Sequence, residues 1–107
     1  MPVSHHRRAS KRMASTFAFA WRDFALRVVH TPDVAILGWS HVELTVVSPE
    51  GAPLPIGFST RHVIEVEEEE ILAAGGPVAF LIVNLERAAG NAAYAHAMFR
   101  WRQGCLF

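Results

Sequence analysis

Cysteine is nearly missing from this chain: Cys105 stands alone among 107 residues. A disulfide framework within the chain is thereby excluded, and a single thiol is consistent with a reducing compartment. Charge is sparse as well. Asp, Glu, Lys and Arg make up 19% of the sequence, against a usual share of about 25%. Ten basic and ten acidic side chains cancel to a formal net charge of zero, so bulk charge gives the body no footprint for nucleic acid. The longest uncharged run, Ile71 to Leu85, is interrupted by Gly75-Gly76-Pro77 and falls short of the roughly 20 residues of a membrane span. Met13 to Trp21 is apolar, but Arg22-Asp23 follow at once, which argues against a secretory signal. No Gly-x-Ser-x-Gly or phosphate-cradling glycine pattern is found, and no internal repeat.

Apolar residues are abundant, at 51%. That supports one hydrophobic core in one domain, placed over residues 13–107. Residues 1–12 read as a disordered basic tail, with Arg7, Arg8, Lys11 and Arg12 and no acid. Three readings compete for it: a basic arm for nucleic acid, an organelle transit segment, or sequence upstream of a true start at Met13.

The most punctuated stretch is Gly75-Gly76-Pro77, then Val78 to Ala89, then Gly90-Asn91. Pro77 suits a first helical turn, and Gly90 suits a position past a helix end where positive φ is common. Val78, Leu81, Ile82, Leu85 and Ala89 share one helical face, although a buried strand over Val78–Val83 competes. Asn91 then caps a helix from Ala92 to Gln103, with Tyr94, Ala97, Met98 and Trp101 on one face. The short break between the two predicts an antiparallel helical hairpin.

Earlier in the chain, Phe24–His30 reads as a strand and Phe17–Trp21 stays open between strand and helix. Val34–Leu37 is an apolar insert, one helical turn plugging the end of the sheet. Ser40–Val47 is the cleanest strand, with Val42, Leu44 and Val46 inward and His41, Glu43 and Thr45 outward. Residues 48–55 are a proline-rich loop. Ser59–Val66 returns as a strand, and Glu67–Glu70 open a short helix ending at Ala74-Gly75. The fold class expected is α+β: an antiparallel sheet of about three strands covered by two or three helices.

His41 and Glu43 share one strand face, and His62 on the neighbouring strand completes a candidate metal set if it faces the same way. Cys105 with His41, His62 or His96 is the alternative nucleophile, weakened by its place after the helix-stopping Gly104. No catalytic residue and no cofactor is assigned. Arg61, Arg100 and Arg102 join Arg7, Arg8, Lys11 and Arg12 as candidate nucleic-acid contacts. Trp39, Leu106 and Phe107 are candidate anchors for a partner protein.

Gly38-Trp39-Ser40-His41-Val42-Glu43-Leu44, Ala52-Pro53-Leu54-Pro55, Gly75-Gly76-Pro77-Val78-Ala79-Phe80 and Arg100-Trp101-Arg102-Gln103 to Leu106-Phe107 together resemble a family of small uncharacterised bacterial proteins often associated with plasmids or other mobile elements. The resemblance covers most of residues 24–107 and implies a bacterial cytoplasmic location. It brings no activity or site residue. The expectation is a non-enzymatic accessory protein acting through a protein partner or a homodimer. Its alternatives are a nucleic-acid-binding accessory protein and a metal-dependent enzyme.

Overall fold

A computed structural model of the chain describes residues 13–33, 37–57 and 59–104. In chain order these form β1 (Ser15–Trp21), β2 (Phe24–Pro32), β3 (Trp39–Ser48), β4 (Arg61–Glu67), α1 (Glu68–Ala74), α2 (Pro77–Ala89) and α3 (Ala92–Gly104). The strands make one antiparallel sheet in sequence order, so β2 and β3 are central and β1 and β4 are its edges. The expected α+β class holds, with four strands in place of about three. The stretch left open at Phe17–Trp21 is β1, paired along its whole length with β2. Helical phase fails there because Arg22-Asp23 make a two-residue turn, with Arg22 at φ 54°.

Alternation sorts the sheet into two faces. Leu26, Val28, Val42 and Leu44 point to one side and are at most 1% exposed. Residues directly opposite share a face, so the register adds Phe17, Phe19 and Trp21 from β1 and His62, Ile64 and Val66 from β4 to that side. The helices lie there. Leu81 and Leu85 of α2, Ile71 of α1, and Tyr94 and Met98 of α3 complete the core with Ala52 and Leu54 from the proline-rich loop. Burying each large aliphatic side chain stabilises the fold by roughly 1.5–3 kcal/mol. The other face carries Ala18, Ala20, Arg27, Thr45, Val63 and Glu65, none of them buried.

The apolar run at Val78–Val83 is helical, as the periodicity favours over the competing strand. Gly75, at φ 105°, ends α1 in the left-handed conformation and returns its N–H to that helix's last carbonyls. Pro77 opens α2 as expected. Gly90 departs from expectation: its φ is −72°, so any residue type meets the backbone requirement there. Asn91 caps α3 by accepting the Ala93 N–H at 2.7 Å. That helix is in contact with α2 and also ties down the proline-rich loop, where the Tyr94 hydroxyl donates to the Pro53 carbonyl at 3.2 Å. Of the expected helical plug at Val34–Leu37, residues 34–36 lie outside the described residues, and Leu37 is a turn residue 78% exposed, not packed on the end of the sheet.

Truncation of α2 should separate its two sides. Leu81→Ala, at a site with no exposure, is expected to cost about 2–5 kcal/mol in urea unfolding. Val83→Ala, half exposed on the same helix, is expected to stay within about 0.5 kcal/mol.

Candidate interaction edge

Two polar clusters fix the ends of the sheet against the helices. The first joins β2, β3 and α1. His30 and Ser40 occupy the inward phase of their strands, continuing Phe24-Leu26-Val28 and Val42-Leu44-Val46, and are 9% and 2% exposed. A carboxylate only accepts, so His30 donates from Nε2 to Glu68 Oε1 at 2.8 Å. The Ser40 hydroxyl donates to the same oxygen. The backbone supports this corner, with the Glu68 N–H bound to the Gly38 carbonyl at 2.8 Å. Ser, His and Glu here do not form a nucleophilic triad. Such a triad places serine and carboxylate on opposite imidazole nitrogens. Here both lie on Nε2, with Ser40 Oγ 3.4 Å away, and the hydroxyl is buried. The cluster satisfies polar groups enclosed where α1 meets the sheet.

The second cluster holds the end of β1. Trp21 donates its indole N–H to Glu86 Oε2 of α2 at 2.7 Å, and Arg22 donates to Glu86 Oε1 at 2.9 Å. The Arg22 guanidinium also lies 4.8 Å from the Trp21 ring centroid. Hydrogen bonds from Arg22 and then from Trp21 hold the Glu86 carboxyl below its ordinary value. A cavity of about 240 Å³ beside this clamp is lined by Arg22, Asp23, Ala89, Tyr94, Met98 and Arg102 among others. Arg22 is already neutralised by Glu86 and Asp23 offsets Arg102, so the cavity has no net charge to recruit an ion. A wider cleft between α1 and α2 is lined by Glu70, Ala73, Phe80, Asn84 and Arg87 among others.

Between these anchors β1 presents its outer edge. The Asp33 N–H binds the Trp39 carbonyl at 2.9 Å, which sets the phase of the β2–β3 ladder: odd-numbered residues of β2 bond to β3. Its even-numbered residues therefore bond to β1, where the register pairs them with Ser15, Phe17, Phe19 and Trp21. The backbone N–H and C=O groups of Thr16, Ala18 and Ala20 point away from the sheet. No strand lies on that side among the described residues. From Met13 to Trp21 no side chain is charged and none is proline. Charge, proline and bulges are the usual guards of an edge. The opposite edge, β4, carries Arg61, Glu65 and Glu67.

The candidate metal set is not brought together. His41 and Glu43 lie on the outer face, whereas His62 stands opposite Leu44 on the core face, half-buried beneath Gly57. Glu43 accepts from Arg61 at 2.6 Å, which lowers its pKa, and His41 lies 3.7 Å from Glu65. No group of three His, Cys, Asp or Glu side chains suited to a metal occurs among the described residues. Arg61 is thus tied to its own sheet, while Arg100 and Arg102 sit exposed on α3 in the other layer. Trp39 is 42% exposed where β3 begins. Arg7, Arg8, Lys11, Arg12, Cys105, Leu106 and Phe107 lie outside the described residues.

His30, Ser40, Glu86 and the β1 edge are not among the residues that the sequence singles out. Polar residues in the inward phase of apolar strands were the signal for the first two. Nothing in the sequence pairs Glu86 with Trp21, 65 positions away. No single described helix is long and apolar enough to cross a membrane; α1 and α2 pass that test only as a pair bent by 84°. Comparison with protein families, with curated proteins and with solved structures finds no match.

Two substitutions check the anchors. Glu68→Ala leaves His30 and Ser40 without their acceptor and is expected to cost about 1–3 kcal/mol in urea unfolding, while exposed Glu69→Ala stays within about 0.5 kcal/mol. The Glu86 carboxyl is depressed from 4.5, so its stabilisation is present above that value and is lost as pH falls through the lower folded value. The Tm difference between wild type and Glu86→Gln is therefore expected to shrink between about pH 6 and about pH 3. A difference that grows on acidification would contradict the clamp.

Proposed function

We propose that the chain is a small non-enzymatic interaction module that binds another protein chain by strand addition at the β1 edge. The observation that carries the reading is an uncharged, proline-free edge strand whose outward backbone groups at Thr16, Ala18 and Ala20 have no neighbouring strand among the described residues. Strand addition draws affinity from main-chain hydrogen bonds and specificity from alternate side chains. Phe17, 40% exposed on the helix-covered side, supplies such a side chain. Behind the edge, α2 and α3 act as a hairpin that stiffens the sheet, and the Trp21–Arg22–Glu86 clamp holds β1 in place. The resemblance to small plasmid-associated proteins favours an accessory role in a bacterial cytoplasm.

A fluorescein-labelled peptide of the sequence Ser15–Trp21, titrated with the full chain, tests the reading. Saturable anisotropy is expected. Ala18→Pro removes an outward donor without touching the ladder to β2, and is expected to weaken binding roughly tenfold or more while the Tm is retained. Absence of binding, or equal binding by the proline variant, would overturn the proposal.

A further inference from the structure

We infer that the chain docked at this edge is a second copy of the same protein, β1 against β1, antiparallel about a twofold axis through Ala18. The inference rests on the edge reading and adds the occupant. Ala18 is the centre of β1, and its outward N–H and C=O face the axis. Two copies therefore exchange both bonds at Ala18, then again between Thr16 and the second copy's Ala20, in the spacing an antiparallel ladder requires.

Side chains fit the same axis. Read outward from Ala18, the strand runs Phe17-Thr16-Ser15 one way and Phe19-Ala20-Trp21 the other. Antiparallel pairing sets each Phe17 opposite the second copy's Phe19 on the helix-covered face. Aromatic pairs across strands stabilise sheets, and Phe17 gains the cover that the helices of its own chain do not give it. Thr16, Ala18 and Ala20 form the other face, small enough to meet without obstruction. No side chain of Ser15–Trp21 is charged, so two identical edges approach without like-charge repulsion. An isologous contact closes on itself and leaves no further β1 edge exposed. The product is a continuous eight-stranded sheet with both helical layers on one face. One strand pair is small beside the roughly 1,200–2,000 Å² of stable interfaces, so the dimer is concentration-dependent.

The test uses the full chain carrying Cys105→Ser and a nitroxide at either Ala18→Cys or Val63→Cys, both outward-facing. Where sedimentation equilibrium gives a dimer, the label at 18 is expected to show dipolar broadening that dilution with unlabelled chain removes. The label at 63 is expected to report a single distance of roughly 36 Å: the register sets Val63 level with Thr16, so seven strand spacings of about 4.8 Å combine with an offset of about four residues along the strands. Should labelling at 18 perturb the strand, the distance at 63 decides alone. A dimer without broadening at 18 and without the distance at 63 would overturn the inference. A chain monomeric at every concentration overturns it too. If that monomer still binds the Ser15–Trp21 peptide, the edge reading stands without the second copy; if it does not, both readings fall.

Discussion

The pleat of the two central strands is the constraint on which the rest depends. Because side chains alternate along β2 and β3, Leu26, Val28, Val42 and Leu44 collect on one side, with essentially no exposure. That side must be covered, and Ile71, Leu81 and Leu85 cover it. The opposite side mixes charged and small residues with the partly exposed Trp39, Val47 and Val63, and no element covers it among the described residues. A four-stranded sheet with one helical layer follows, and with it two strand edges. The edges differ because β4 carries three charges and runs directly into α1, whereas β1 carries none.

The polar anchors follow from the same constraint. An inward phase that includes His30 and Ser40 needs an acceptor where α1 closes over the sheet, and Glu68 provides it. At the other end, the inward phase of β1 finishes on Trp21, whose indole N–H needs a partner within the helical layer, and Glu86 provides that. An edge strand held on one side by β2 and at its end by α2 is already ordered. The proposed strand addition would therefore meet a preorganised edge and bear less of the ordering cost.

Much of this was legible in the sequence where one local rule decided the outcome. The alternation in Ser40–Val47 identified β3 and its faces. Pro77 and the 3.6-residue spacing of Leu81 and Leu85 identified α2, and Asn91 marked the start of α3. Legibility ended where two distant segments had to be aligned. His62 shares its alternation with Ile64 and Val66, which is the core face. Whether it met His41 depended on strand register, and the register sets it opposite Leu44. Phe17–Trp21 stayed ambiguous because its aromatic spacing suits a strand and a helix alike, and pairing with β2 decided it. The Glu86 clamp and the Glu68 acceptor rest wholly on tertiary placement. The β1 edge is a property of topology: an uncharged strand is unremarkable at the centre of a sheet and consequential at its border.

Amide hydrogen exchange resolved along β1 reports whether this edge takes a strand. Phe17 and Phe19 bond inward to β2, while Thr16, Ala18 and Ala20 present their N–H groups on the side where no strand lies among the described residues. These three amides are expected to become protected as protein concentration rises, while Phe17 and Phe19 are protected throughout. Exchange of Thr16, Ala18 and Ala20 at the rate of an unpaired chain at every concentration, beside protected Phe17 and Phe19, would contradict the proposed strand addition.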